Sequence, residues 1–259
     1  YQTQPSGYYM TILREESGLL RAYYRGYLPD TKIFDEYTAY AESTDGINWI
    51  KPNLDIIKFE GNEALKIPEL HDDDIRNAVF WKTPEIRFEG LAHNFAPFID
   101  YSPNCPPEEK YKAVAGTPAL GLWSFTSPDG IHWNFLPHYV LHPYSPQKFP
   151  DGSKITRFDS HNVAFYNILT GKYELYYRFN CLPDGRSARS VCTVSVDDFK
   201  QADWPEGEFC GPNFPGEDLY TLIPNQYFRA PDYLLCFPTR YIASRGSATD
   251  IMFITKWRD

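Results

Sequence analysis

The sequence has no long apolar run, which excludes an ordinary membrane-spanning helix. Stretches such as residues 233–237 are far shorter than the roughly 20 apolar residues that such a helix needs. The sequence also has no run of Lys and Arg, and its formal net charge of −9 repels polyphosphate. We therefore expect neither a membrane span nor nucleic acid as a partner.

The sequence also has few cysteines and no recognisable N-terminal leader. The five cysteines are odd in number and contain no C-x-x-C pair, which argues against a zinc knuckle. Buried free thiols are the favoured interpretation, with one or two disulfides as the alternative. The chain begins at Tyr1 rather than at Met and shows no signal peptide, so we expect truncation at one or both ends.

Aromatic residues and turn formers are abundant. Aromatics make up 17% of the chain, and 22 prolines and 16 glycines interrupt the sequence too often for long helices. At 259 residues the chain can bury a sizeable core. We predict an all-β protein with one domain over residues 1–259.

One phrase, S-x-D-G-I-x-W, occurs at residues 43–49 and again at residues 127–133, each time after a strand-like run. Asp followed by Gly is typical of a tight turn, because Asp bonds its own backbone and Gly accepts a positive φ. We predict that Trp49 and Trp133 occupy equivalent places in neighbouring sheets. Weaker echoes at residues 195–204 and 255–259 support internal repetition, which is the signature of propeller blades.

Four repeat units are visible in the sequence. Their predicted innermost strands are a stretch within residues 8–13 or before Tyr1, then residues 93–100, 161–166 and 227–237. Residues 53–92 are interpreted as a long, partly charged insertion between the first two units. A fifth unit would close the ring, with its strands outside this sequence or shared between its ends.

Four segments carry a resemblance to a known family: residues 93–100 (HNFAPFID), 111–116 (YKAVAG), 158–165 (FDSHNVAF) and 229–234 (RAPDYL). They resemble the five-bladed β-propeller glycosidases, which include the arabinanase and β-xylosidase family, the invertase family and the anhydrogalactosidases. The likeness is greatest to uncharacterised bacterial relatives of the invertase amino-terminal domain.

The resemblance implies a central funnel, a carbohydrate substrate and an extracellular or periplasmic location. It implies a glycoside hydrolase with acidic residues where the inner strands begin, and no cofactor beyond a funnel cation such as calcium. No counterpart of a first-unit aspartate is recognisable in this sequence. The alternatives are a catalytically inactive carbohydrate-binding propeller and a sialidase-like enzyme, which would need a Tyr nucleophile and an arginine cluster.

Three residues are predicted to be catalytic. Asp159 directly precedes the third inner strand within a polar cluster, although it could instead cap a turn. Asp218 stands ahead of the fourth unit and is either a second acid or a solvated loop residue. His93 heads the second inner strand, where it is either a general acid or a structural histidine.

Substrate binding is predicted for residues that flank these strands, with Arg229 expected to open the fourth inner strand and Arg178 also open to an ion pair within its sheet. The predicted set is Asn94, His161, Asn162, Arg178, Tyr220, Gln226 and Arg229. Tyr220, Tyr227, Phe228 and Trp81 are candidate stacking platforms at the rim. Glu85 and Asp72, Asp73 and Asp74 are looser acidic candidates. No metal ligands are predicted.

Overall fold

A computed structural model describes residues 9–27, 36–57, 76–81, 90–210 and 218–257. These residues form antiparallel β-strands and three short 3-10 helices, at Leu91–Asn94, Pro107–Glu109 and Ala243–Arg245, with no α-helix among them. None of the described helices has the length and apolar character to cross a membrane. The predicted all-β class is confirmed.

Three sheets are four-stranded antiparallel meanders in chain order. The first consists of β1 (Met10–Arg14), β2 (Leu20–Tyr27), β3 (Glu36–Ser43) and β4 (Ala78–Phe80). The second consists of β5 (Ala96–Ile99), β6 (Tyr111–Thr117), β7 (Gly121–Ser127) and β8 (Asn134–Leu141). The third consists of β11 (Val163–Asn167), β12 (Lys172–Phe179), β13 (Ser190–Val196) and β14 (Glu208–Phe209).

Shorter sheets complete the described chain. A hairpin of β9 (Tyr144–Lys148) and β10 (Lys154–Thr156) lies between the second and third meanders in sequence. The fourth unit is divided into two three-stranded sheets. One contains β15 (Asp218–Leu219), β18 (Thr239–Ile242) and β19 (Ala248–Ile251), and the other contains β16 (Pro224–Tyr227), β17 (Ala230–Cys236) and β20 (Ile254–Trp257).

The first strands of these units lie around one central cavity. Residues of β1, β5, β11 and the start of β16 line a space of about 140 Å³, which we call the central channel. Strands β6 and β7 are buried along nearly their whole length, because neighbouring sheets cover both of their faces. Between the first and second meanders, for example, Phe80 packs against Phe95 with ring centroids 4.8 Å apart.

The two repeated turns have the same hydrogen bonds. In each turn the Ser Oγ accepts from the Gly N–H at 2.9 Å, and the Asp Oδ1 accepts from the backbone amides two and three residues further on, at 2.7 to 2.8 Å. Gly46 and Gly130 have φ values of 76° and 74°. The two turns therefore share one hydrogen-bond pattern, and the equivalent placement of Trp49 and Trp133 in their sheets stays a prediction.

The second turn also joins two sheets. Tyr23 of β2 donates its hydroxyl to the Gly130 carbonyl at 2.9 Å, and Arg21 donates to the Asp129 carbonyl at 2.6 Å. A Cβ at position 130 would lie 2.5 Å from the Tyr23 hydroxyl. Glycine is therefore required there both for the positive φ and for the close approach of the neighbouring sheet.

The fourth inner strand differs from the prediction. Residues 227–237 were expected to form it, but the inner strand is β16, and the chain turns at Phe228 and Arg229 before returning as β17. The prediction was wrong because this turn contains none of the Gly, Asn or Asp residues that usually mark a tight hairpin. Arg229 is consequently an exposed turn residue rather than the start of an inner strand.

Two further expectations concern local structure. Within the predicted insertion 53–92, residues 77–81 are buried, and three of them form β4, which completes the first sheet. No disulfide joins any of the five cysteines, all of which lie among the described residues. Cys181, Cys192 and Cys236 are buried, as the free-thiol interpretation predicted.

Candidate functional site

The residues that precede the inner strands meet at one end of the central channel. We call this end the mouth. Tyr9, directly before β1, is at the centre of this group. Its ring centroid lies 6.1 Å from that of His93 and 5.5 Å from that of His161. The Arg25 guanidinium lies 4.9 Å from the same ring. Burial, followed by the charge of Tyr220, raises the pKa of the Tyr9 phenol above its ordinary value, so this phenol stays protonated.

A buried carboxylate holds His93 in place. Glu36 Oε2 lies 2.6 Å from His93 Nδ1, and the Glu36 side chain is 1% exposed while that of His93 is 31% exposed. Arg25 lies 3.6 Å from the other Glu36 oxygen and donates through Nε to the His93 carbonyl at 3.0 Å. With Nδ1 directed at Glu36, the Nε2 atom of His93 is the ring nitrogen left for a substrate.

Asp159 follows a strained residue. Phe158 is fully buried and has a φ of 70°, which a non-glycine residue seldom adopts. Its N–H donates to the Arg178 carbonyl at 3.1 Å, and its carbonyl accepts from Asn94 Nδ2 at 3.1 Å and from Asn162 Nδ2 at 3.4 Å. These bonds hold the backbone turn from which Asp159 emerges, exposed, at the mouth.

The side chains of the two asparagines predicted to bind substrate therefore form hydrogen bonds to the protein's own backbone. Asn94 Nδ2 also donates to the Gly116 carbonyl at 3.1 Å, and Asn162 Oδ1 accepts from the Arg178 amide at 3.0 Å. Both side chains are fully buried. Asn94 thereby joins the backbones of the second and third units, whereas Asn162 bonds backbone groups within the third unit alone.

Arg178 is fully buried next to Tyr220. Its guanidinium lies 4.7 Å from the Tyr220 ring centroid and donates through Nη2 to the Tyr220 carbonyl. Within the described part of the chain, Nε and Nη1 have no hydrogen-bond partner. Burial lowers the pKa of Arg178, and the charge of Asp159 opposes that shift. Asp159 acts electrostatically on both Tyr9 and Arg178, so its carboxylate lies within electrostatic range of the two groups.

Asp218 lies next to this group but is already paired. Its Oδ2 lies 2.7 Å from Arg189 Nη1, in an ion pair that is partly exposed. The Arg189 guanidinium in turn lies 5.4 Å from the Tyr220 ring centroid and 4.6 Å from that of Tyr241. Asp218 thus stabilises an arginine beside the mouth.

His161 is buried below the mouth and lines the central channel. Its Nε2 lies 3.5 Å from Thr11 Oγ1, and its Nδ1 has no hydrogen-bond partner among the described residues. Burial, with a smaller effect from the charge of Arg25, lowers the pKa of His161 to about 4. The imidazole is therefore neutral at pH 7.

Gln226 and Arg229 lie away from the mouth. Gln226 Nε2 donates to Asn167 Oδ1 at 2.8 Å, and Asn167 is the last residue of β11, whereas His161 precedes that strand. At about 3.3 Å per residue, roughly 20 Å separates the two ends. Arg229, in the turn after β16, lies over the ring of Phe228. The structure therefore does not bring Arg229 to the same end as His93 and His161.

The remaining rim candidates differ in position. Trp81 is 5% exposed and packs in the core of the first sheet with Tyr37, so its predicted place at the rim was wrong. Tyr227 and Phe228 lie at the turn that follows β16. Glu85 and Asp72, Asp73 and Asp74 lie outside the described residues. No group of three or more His, Cys, Asp or Glu among the described residues is placed to hold a metal ion.

Comparisons with known proteins give a fold but no sequence family. No family model matches the chain, and no curated protein matches it in sequence. Three solved structures are similar at 12% identity. They are the BT0996 RGII complex (TM-score 0.61, covering 100% of this protein and 76% of that one), a glycoside hydrolase (0.60, 98% and 73%) and the GH43 endo-arabinanase of Bacillus licheniformis (0.55, 96% and 72%).

The chain thus shares its fold with these three solved structures. In this chain the meander brings the end of each second strand and the start of each third strand back to the end where the inner strand begins. Arg25, near the end of β2, and Glu36, the first residue of β3, reach the mouth in this way. So does Arg178, near the end of β12.

Three residues of the mouth, Tyr9, Arg25 and Glu36, were absent from the predicted set. Arg25 had a detectable signal: the triplet Tyr-Tyr-Arg at residues 23–25 recurs at residues 176–178, where its arginine had been singled out. Tyr9 and Glu36 had none, because neither lies in a recognisable motif.

Proposed function

We propose that this chain is a glycoside hydrolase that acts on a poly- or oligosaccharide at the mouth of the central channel. One observation carries the proposal. An imidazole held by a buried carboxylate, His93 with Glu36, packs against the ring of Tyr9, and the exposed carboxylate of Asp159 acts electrostatically on the hydroxyl of the same residue. A carboxylate and a proton donor facing one substrate are what glycoside hydrolysis requires.

The two groups have complementary roles. Asp159 acts on the anomeric carbon, either by activating water or by direct attack. His93 donates a proton from Nε2 to the departing glycosidic oxygen, and Glu36 orients the ring through Nδ1. Arg178, with unpaired donors among the described residues, stabilises negative charge near Asp159. In this proposal Asp218 acts through Arg189 and Tyr220 rather than on the sugar itself.

The proposal includes the complete architecture. Three four-stranded meanders and a divided fourth unit, all with first strands on one channel, are consistent with a five-bladed propeller whose fifth blade completes the ring. The similar solved structures support a carbohydrate as the substrate. The proposal also includes an extracellular or periplasmic location, since polymeric glycans are too large to enter a cell intact.

A carbohydrate-binding propeller without activity is the second candidate. Of the three carboxylates near the mouth, Glu36 is buried behind His93 and Asp218 is paired with Arg189, which leaves Asp159 as the exposed one. A single exposed carboxylate is what a binding protein would retain. A sialidase-like enzyme is less well supported, because burial raises the pKa of Tyr9, whereas a phenolate nucleophile needs a lowered one.

The deciding experiment is a hydrolysis screen. The purified full chain is incubated with arabinan, xylan, galactan and mannan and with their oligosaccharides, and released reducing ends are measured. Release that is abolished in both Asp159→Asn and His93→Gln supports the hydrolase. Slower migration of the protein through a native gel that contains a glycan, without release of reducing ends from that glycan, would instead identify a binding protein.

A further inference from the structure

A second cleft lies between the β9–β10 hairpin and the outer edge of the third sheet. Its volume is about 440 Å³, within the range of roughly 300 to 1,000 Å³ typical of small-ligand sites. It shares no residue with the mouth or with the central channel. Nothing in the proposed reaction uses it.

The floor of this cleft is apolar. It is formed by the buried side chains Ile155, Phe179, Cys181 and Cys192. Burial raises the pKa of the Cys192 thiol to about 12 and also raises that of Cys181, so both sulfurs are protonated. They contribute apolar surface rather than a nucleophile.

The rim of the cleft is polar and carries one exposed ring. Gln147, Lys148, Glu206 and Glu208 are exposed along it. Phe209 of β14 is 38% exposed at the same rim, although its strand neighbour Cys192 is buried. The rim therefore offers an apolar face, the Phe209 ring, next to the hydrogen-bonding groups of the two carboxylates and the Gln147 amide.

One of these carboxylates is held in a fixed position. Arg157, which is 1% exposed, donates from Nη1 to Glu206 Oε2 at 2.6 Å. The same guanidinium donates to the carbonyls of His142 at 2.8 Å and of Tyr144 at 2.9 Å, which ties it to the hairpin wall. The Glu206 carboxylate is therefore already oriented before any ligand binds, and this lowers the entropic cost of binding.

The opposite wall is also rigid. Gly207 donates its N–H to the Tyr177 hydroxyl at 3.0 Å, and a Cβ at this position would lie 2.8 Å from both the Thr193 carbonyl and that hydroxyl. The backbone that carries Glu206 and Glu208, on either side of Gly207, is consequently fixed against the third sheet. The cleft is pre-formed between two fixed walls.

We propose that this cleft is a second carbohydrate-binding site that takes a short, neutral oligosaccharide. The C–H face of a sugar ring packs on Phe209 and the apolar floor, and its hydroxyl groups bond to Glu206, Glu208 and Gln147. The two carboxylates disfavour a uronic acid or a sulfated sugar. The assignment of a carbohydrate to this cleft rests on the proposed function. The cleft would bind a chain of the same glycan at a position distant from the mouth.

Affinity gel electrophoresis tests this site. The full chain carrying Asp159→Asn, which prevents turnover, is run through native gels that contain the glycan cleaved by the parent, or each glycan of the screen if none is cleaved. Phe209→Ala added to this background is expected to weaken retardation about tenfold, and Glu208→Gln about threefold. The matched control is Phe253→Ala, an exposed ring outside the cleft, which should not change it. Circular dichroism checks that each variant is folded.

The outcomes separate the two proposals. Retardation that depends on Phe209 in a parent without hydrolysis upholds the second site and overturns the hydrolase. Hydrolysis by the parent with retardation unchanged in both Phe209→Ala and Glu208→Gln overturns the second site alone. Binding of the apolar dye 8-anilinonaphthalene-1-sulfonate that is lost in Phe209→Ala, with glycan retardation unchanged, would also overturn it and assign an apolar ligand instead.

Discussion

Glu36 Oε2 and His93 Nδ1 lie 2.6 Å apart although 57 residues separate them in the chain. Glu36 begins the third strand of one sheet, and His93 precedes the first strand of the next. Arg25 contacts both residues. A histidine at the mouth is therefore oriented by a carboxylate from the neighbouring sheet, and its activity should depend on that contact.

Replacing Glu36 tests this dependence. Glu36→Gln keeps an acceptor for Nδ1–H but removes the charge that stabilises a protonated imidazole. We expect kcat/KM to fall about 10- to 100-fold, because the imidazole is then held less firmly with Nε2 directed at the substrate. Loss of the buried ion pair with Arg25 should also lower the free energy of unfolding by roughly 3 kcal/mol.

The control for this variant is His93→Gln, which should lose at least as much activity, since Glu36 acts through His93. A Glu36→Gln protein that is less stable but has the kcat/KM of the parent would show that Glu36 has only a structural role.

Asp159→Asn should separate chemistry from stability. Asp159 is exposed and has no hydrogen bond within the described residues, so its loss should leave the melting temperature nearly unchanged. Hydrolysis should fall by about three orders of magnitude, because a catalytic carboxylate supplies much of the transition-state stabilisation. Asp197→Asn, another exposed aspartate, is the matched control. Near-normal turnover by Asp159→Asn would refute its assignment.

His161 should make stability depend on pH. Its pKa falls from 6.5 to about 4 on folding. The unfolded chain therefore binds a proton that the folded chain does not accept until lower pH. The stabilisation is fully present above about pH 6.5 and is lost as pH falls toward 4, by up to roughly 3 kcal/mol.

Urea unfolding at pH 7 and pH 5 measures this loss. The parent should lose more stability between these two values than His161→Asn, in which the titrating group is absent and all others are retained. Equal losses in the two proteins would mean that His161 is not buried in its neutral form.

The paired turn glycines offer a matched comparison. Gly46→Ala and Gly130→Ala impose the same strain, since both positions have φ near 75°. At position 46 the nearest atom to an added Cβ is the end of the Leu20 side chain at 3.2 Å, whereas at position 130 it is the Tyr23 hydroxyl at 2.5 Å. We expect a loss of about 1 kcal/mol for Gly46→Ala and about 3 kcal/mol for Gly130→Ala, measured by chemical unfolding. Equal losses would show that the second turn does not join two sheets.

The sequence by itself determined the turns and strands that form between residues close together in the chain. The two S-x-D-G-I-x-W turns could be predicted because Asp bonds amides two and three residues away, and Gly supplies the positive φ. The strands between them followed from their alternating aromatic and β-branched residues. The turn at Phe228 and Arg229 could not be predicted in this way, because it contains no Gly, Asn or Asp.

The site was decided by tertiary structure. Antiparallel pairing returns Arg25, Glu36 and Arg178 to the end where the inner strands begin, and the packing of one sheet on the next brings Glu36 to His93. Burial then determines the protonation state of His161, since the enclosure of its imidazole lowers the pKa to about 4. Neither the pairing partner of a carboxylate nor the burial of a side chain can be read from residue order, because both depend on segments distant in the chain.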